Sequence, residues 1–184
     1  GWFMVTSGLV DDPRVNHFRL TAHLGLALMI FSAEFWLALQ LISNGSGRER
    51  RALALPLLVF LMALAGALVA GLRAGYSYNT FPLMNGHLVP PEILLLGPWW
   101  QNFSTNMATV QFVHRAFFWL LALVVPPAWW RYRELPAAHA FAALFLLQAA
   151  LGIATLLLRV PVSLGAAHQG GAVLLLGAAL WRAQ

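Results

Sequence analysis

The chain has 184 residues, 60% of them hydrophobic and only 9% charged, with a mean hydropathy of +0.73. Soluble domains carry about 25% charged residues, so composition alone excludes an ordinary soluble fold and marks a membrane protein. The net charge of +5 rests on arginine without any lysine, and no basic run alternates with stacking aromatics, which sets nucleic-acid binding aside. The absence of cysteine removes disulfides, thiolate-held clusters, CxxCH haem attachment and a cysteine nucleophile.

In chain order, the sequence opens at Gly1-Trp2-Phe3-Met4 without an initiating methionine, leader or cleavage site, and it reads as part of a longer protein. A bilayer core takes about 20 apolar residues per helix. Five segments meet that length, at about 18–42, 52–72, 107–130, 136–158 and 162–182. Pro56, Pro136 and Pro161 fall near the starts of the second, fourth and fifth, where a missing N–H costs little. Pro126-Pro127 is expected to interrupt the third near its far end.

The loops set a direction. Arg48, Arg50 and Arg51 lie between spans one and two, Arg131 and Arg133 between three and four, and Arg182 at the end of five. The other side holds Arg14 and Arg19 beside Asp11 and Asp12, then Arg73 and Arg159. The positive-inside rule makes the first group cytoplasmic or matrix-facing, so spans one, three and five run from outside to inside. His23, His114 and His168 then all enter from the outer side, at about 7–14 Å of depth. Spans two and four carry no histidine in their apolar interiors.

Aligning His23 with His168 sets TAHLGLALMIFSAEFW against AAHQGGAVLLLGAALW, with Ala22/Ala167, Gly25/Gly170, Ala27/Ala172, Ala33/Ala178 and Trp36/Trp181 coinciding. The pattern points to a duplicated bundle, a common device in membrane proteins. Span one would close a first four-helix unit, and spans two to five would form the second.

Imidazoles at one depth in a bilayer can hold a haem iron from both faces. His114 and His168 are therefore read as axial ligands of one haem; the alternative is that they are packing residues bonded to neighbours. Around His168, Gly165, Gly171 and Ala172 share its helix face and would form a smooth patch for a macrocycle. Arg115 is placed either to pair with a haem propionate or to snorkel at the interface. By symmetry His23 would ligate a haem in the first unit, and Arg19 is read as an interfacial anchor. Glu34 lies on the face of His23, three turns on, and is expected to be a neutral acid bonded to a neighbour such as Gln148. The long 73–107 loop reads as a cover, with Tyr76, Tyr78, Trp99 and Trp100 at headgroup level. His17, His87 and His139 are read as surface residues.

The blocks GWFMVTSGLV, HFRLTAHLGLAL, AGLRAGYSYNTFPLMNGHLVPP, ATVQFVHR and AAHQGGAVLLL follow one another along essentially the whole chain. Together they resemble haem A synthase, most closely the form found in alphaproteobacteria and mitochondria. The resemblance implies an all-α, polytopic transmembrane bundle of eight helices in two halves. Residues 1–51 would be the end of the N-terminal half, with its last helix at about 18–42, and 52–184 the C-terminal four-helix bundle. The family oxidises the methyl group of haem O to the formyl group of haem A, for cytochrome oxidase assembly. It implies a haem B held by His114 and His168 with Arg115 nearby, and a substrate-haem role for His23. The ExxHR glutamate and histidine of the reacting half are not among these 184 residues. Gln111-Phe112-Val113-His114-Arg115 has that ExxHR shape with an amide in place of the acid, and an amide cannot serve as a carboxylate base. Val113 departs from the acidic residue that close relatives carry before this histidine.

Two axial histidines leave an iron no oxygen site, so the His114/His168 haem is expected to relay electrons from an unidentified donor. The competing reading is a non-enzymatic, quinol-linked membrane cytochrome b. Expected partners are haem O and haem A, the electron donor, haem O synthase or oxidase assembly proteins, and the lipid bilayer. The expected location is a bacterial plasma membrane or mitochondrial inner membrane, with the haem sites toward the outer side.

Overall fold

The computed structural model describes residues 15–42 and 53–183. Asp11, Asp12, Arg14, Arg48, Arg50 and Arg51, on which part of the topology argument rests, lie outside the described residues, as does the boundary at 51/52. Five long helices dominate: α1 (His17–Ile42), α2 (Ala54–Gly71), α3 (Met107–Arg131), α4 (Pro136–Leu157) and α5 (Val162–Arg182). Each is long and apolar enough to cross a membrane. The expected spans agree with them to within two residues or so at every end. One expectation changes: α3 continues through Pro126 and Pro127 as a single helix instead of breaking there.

Packing follows a ring. α2, α3, α4 and α5 pack on one another in chain order, α5 closes against α2, and α1 lies in the groove between α2 and α5. α4 and α5 form the closest pair, while α3 and α4 touch more sparingly. With lipid on the outside there is little hydrophobic drive between helices, so small residues that let backbones approach carry the association. Gly25 of α1 lies against Leu64, Gly71 of α2 against His17, and Gly177 of α5 against Phe31 and Phe35 of α1. His17, read as a surface residue, is thus partly buried between α1 and α2.

The two ends of the bundle differ. At the turn end, Leu55, Val59, Leu121, Val125, Phe141, Phe145, Leu175, Leu176 and Leu180 merge into one apolar core. There Arg131 and Arg182 both stack on Tyr132, and Arg133 stacks on Trp130. His139 accepts from the Trp129 indole at 3.1 Å and donates to the Arg133 carbonyl at 2.8 Å, which ties α3 to α4. Toward the loop end the buried polar residues collect, Asn102, Thr109, Gln111, Arg115 and Gln148, beside a small apolar cluster of Tyr78, Met84 and Ala108. Arg73 and Arg159 follow α2 and α4 there, both in the left-handed backbone region with φ of 54° and 60°. The two chain reversals meet, since Gly75 lies against Val160 and the Asn79 amide donates to the carbonyls of Gly75 and Leu156.

The 73–107 segment is a folded cap with its own polar core. Asn102 is fully buried; its side chain accepts from Leu96 N–H and donates to the carbonyls of Leu96 and Trp99, each at 2.8–2.9 Å. Asn106 starts α3 by accepting from the N–H groups of Ala108 and Thr109, and donates to Asn102 and to the Glu92 carbonyl. That arrangement fills the orphan donors of a helix N-terminus. Tyr78, expected at headgroup level, is instead buried, and its hydroxyl donates to Glu92 at 3.0 Å. Burial and the neighbouring carboxylate hold its pKa above the ordinary tyrosine value. Tyr76, Trp99 and Trp100 are exposed.

Candidate functional site

His114 and His168 come from α3 and α5, the two helices that stand across the ring from one another. Each is partly buried. His114 Nδ1 is 3.2 Å from the carbonyl oxygen of Met62 on α2. A carbonyl only accepts, so Nδ1 carries the proton and Nε2 is left with its lone pair. One turn along α2, Gly66 faces the same ring: a Cβ there would stand 3.1 Å from His114 Cε1.

His168 rests on the neighbouring hairpin in a parallel manner. A Cβ on Gly152 of α4 would stand 2.8 Å from His168 Cε1. One turn earlier on α4, Gln148 donates from Nε2 to the His168 carbonyl at 2.6 Å. His168 Nδ1 makes no well-formed hydrogen bond, and Gln148 Oε1 has no partner. Each histidine therefore has a glycine of the preceding helix behind its ring.

Where α3 and α4 part toward the loop end, Phe81, Phe118, Gln148, Ala149, Gly152, Ile153 and Leu156 line a slot. It holds about 70 Å³, far less than a macrocycle occupies. Phe81, from the cap, stacks on Trp119 at 5.9 Å and meets Phe118 edge-on. Among the described residues no group of three or more His, Asp or Glu converges, as a bare metal ion would require. Two imidazoles on helices across the ring would suit an iron whose in-plane positions a porphyrin fills.

Arg115 is buried beside this pair and anchors the cap. Nη2 donates to the Tyr78 carbonyl at 3.0 Å, and Nη1 to those of Pro82 and Leu83 at 3.3 and 3.2 Å. Gln111, one turn before His114, donates to the same Tyr78 carbonyl at 3.3 Å. Arg115 also lines a cavity of about 470 Å³ with Pro82, Phe112, Trp119 and Leu123, on the side of α3 away from His114. A snorkelling arginine would lie in solvent; this one is 8% exposed.

His23 stands apart from that pair, on the outward face of α1, and Glu34 lies exposed on the same face. The expected Glu34–Gln148 contact does not form, because Gln148 is engaged at His168. The smooth patch on α5 is also interrupted: Gly171 is covered by the Gln148 side chain, while Gly165 faces open space. His87 is exposed, its backbone paired with Met84 across a tight turn.

Sequence reasoning overlooked Met62, Gly66, Gly152 and the contact of Gln148 with the His168 backbone. A signal was present: the pairs Gly66/Arg73 and Gly152/Arg159 have the same spacing, and each pair ends a helix that precedes a histidine-bearing one.

Comparison with known proteins agrees with this architecture. A family model described as Cytochrome oxidase assembly protein matches residues 1–180. A relative named Heme A synthase from Nitrosospira multiformis is 51% identical over 197 residues, covering 98% of this chain and 55% of the relative. Relatives of the same name from Nitrosomonas eutropha and Parvibaculum lavamentivorans are 48% and 46% identical, each across 98% of this chain and 56% and 55% of their own length. No solved structure matches. The chain spans about half the length of these curated relatives. Integral to the membrane by its five apolar helices, the chain belongs to the cytochrome oxidase assembly protein family.

Proposed function

We propose that this chain supplies the electron-carrying half of a haem A synthase, together with one helix of the half where substrate reacts. In this reading residues 52–184 form the haem B bundle, and 1–51 end the reacting half. The carrying observation is the pair of imidazoles, His114 and His168, each backed by a glycine of the preceding helix, in a chain whose relatives are named Heme A synthase.

His114 and His168 would hold the iron of a haem B through Nε2. A haem so ligated carries one electron at a time, having no open axial position. Met62 fixes the tautomer and direction of the His114 ring through its carbonyl. Arg115 anchors the cap beside the site through the carbonyls of Tyr78, Pro82 and Leu83; pairing with a propionate would require it to release one of them. Phe81 and Phe118 would swing aside to admit the macrocycle and then exclude water from it. His23 is assigned to the substrate side, where haem O is oxidised at its methyl carbon to the formyl of haem A. The carbon would lose four electrons and gain one oxygen, which requires an external oxidant of the dioxygen class; electrons relayed through the His114/His168 haem would complete that oxidant's reduction to water. By the positive-inside rule, Arg131, Arg133 and Arg182 at the turn end, against Arg73 and Arg159 at the loop end, favour an orientation in which the loop end and both histidines would face the outer side.

The test is a visible spectrum of the full-length protein and of His114→Ala and His168→Ala, with extraction of cellular pigments. The expected result is a low-spin bis-histidine spectrum that either substitution abolishes, with haem A in the extract of the wild type only. An unchanged spectrum ends the ligand assignment. A lost spectrum with haem A still produced points instead to a non-enzymatic cytochrome b.

A further inference from the structure

The two hairpins that carry the histidines repeat one another beyond the rings they seat. Ala63, Gly66, Leu72 and Arg73 recur 86 positions on as Ala149, Gly152, Leu158 and Arg159. Each glycine backs a histidine ring, and an arginine follows it by seven residues. Seven residues are two helical turns to within about 20°, so each arginine falls in register with its glycine, roughly 10 Å nearer the loop end. Both arginines are exposed, and both take the left-handed backbone that a residue with a Cβ seldom adopts. The two reversals meet, with Gly75 against Val160 and the Asn79 amide on the Leu156 carbonyl. Two cations are thus brought to one edge of the bundle without a counter-charge. Of the described carboxylates, Glu92 is bound by Tyr78, Glu134 pairs with Arg133, and Glu34 lies out on α1. The slot beside Gly152 runs along α4 from Gln148 to Leu156, one turn short of Arg159. Arg115, the cation next to His114, is already engaged by three cap carbonyls.

We infer that Arg73 and Arg159 form a paired clamp for the two propionates of a haem seated by His114 and His168. This rests on the reading of those histidines as axial ligands. A haem carries both carboxylates on one edge, and charge at mid-membrane is costly, so that edge must turn to the aqueous margin. Two helical turns from the imidazole seats to the arginines is the scale of the span from a haem iron to its carboxylates. An arginine fork matches a carboxylate in shape as well as charge. The competing account is that each arginine snorkels, or serves carbonyls left over at a helix C-terminus. Neither use calls for the glycine register, for the same spacing on both hairpins, or for like charges set together, which repel. In the proposed orientation both also lie on the side where the positive-inside rule disfavours arginine. The clamp would fix the rotation of the haem about the axis through its two ligands.

The experiment uses full-length protein with its haem. Resonance Raman spectra report the bending bands of the propionates, which shift when a hydrogen bond to the carboxylate is lost. Arg73→Asn and Arg159→Asn each remove a guanidinium while leaving a residue that suits the left-handed backbone. Each is expected to shift a propionate band with the low-spin spectrum kept. The two together should release haem to excess apomyoglobin about tenfold faster than wild type. Lysine at both positions keeps the charge and should leave the release rate near that of wild type. Unshifted bands in either single variant overturn the clamp, as does an unchanged release rate in the pair. Should the asparagine variants fail to fold, the unmutated protein decides: propionate bands at the position of free carboxylates overturn the assignment, and hydrogen-bonded ones uphold it. Persistence of the low-spin spectrum in His168→Ala is a separate failure, that of the ligand assignment itself.

Discussion

The two histidine seats differ in what secures them. The His114 seat is built from polar contacts: a carbonyl on the ring, and next to it Arg115 and Gln111 pinning the cap at Tyr78. The His168 seat is built more from clearance, with a glycine closer to the ring and no well-formed hydrogen bond on its Nδ1. A ring held by directional bonds tolerates some crowding, because those bonds return it to place. A ring held by the absence of a methyl group does not. The two seats should therefore fail in different ways.

The largest effect is expected from Gly152→Ala. Its new Cβ would stand 2.8 Å from His168 Cε1, closer than real Cβ contacts come, so the ring must move. Overpacking of this kind costs about 1–3 kcal/mol. The expected outcome is loss of most of the low-spin haem signal in purified protein, read by absorbance and EPR. Arg115→Gln comes next. It removes three charge-assisted bonds to cap carbonyls, each worth roughly 1.5–3 kcal/mol, although bonds that share one nitrogen do not add fully. Limited proteolysis should show cleavage within 78–83 in this variant and protection in the wild type.

Gly66→Ala should do less than Gly152→Ala. Its Cβ would stand 3.1 Å from His114 Cε1, and the Met62 bond restores the ring direction. A partial high-spin fraction is expected, with most of the haem retained; equal loss in the two alanine variants would remove the distinction between the seats. The smallest effect belongs to Tyr78→Phe, which deletes one hydrogen bond worth about 1 kcal/mol. The tyrosine pKa is raised in the folded cap, so the neutral form is the one stabilised. The advantage of wild type over Tyr78→Phe should be constant below the ordinary tyrosine value of about 10 and vanish as the pH climbs through the raised one. Thermal unfolding measured at several alkaline pH values checks this.

The spans were legible because a bilayer dictates helix length, and the depth of His114 and His168 followed from those spans. Residues whose role depends on what lies opposite them were not legible. A glycine in an apolar helix reads the same whether it faces lipid, as Gly165 faces open space, or an imidazole, as Gly152 does. Gln148 was paired in expectation with Glu34 because both are polar at mid-membrane, yet helix rotation turns Glu34 outward. The cap escaped for another reason. Its order comes from Asn102 and Asn106 folding a coil onto itself, and such side-chain-to-backbone bonding leaves no periodic trace. Tyr78 was misjudged with it. Pro126 and Pro127 overstated their power to break a helix whose neighbours keep it straight.

The uneven filling of the bundle has a consequence for assembly. Continuous apolar contact at the Tyr132 extremity clamps the five helices like the spring of a peg, while the opposite extremity mixes a small greasy cluster with buried polar groups and an aromatic wedge in Phe81. Jaws of that design can part locally without the whole fold melting. A flat, rigid guest could thus be loaded after membrane insertion is complete, sliding in from the aqueous margin beneath the cap.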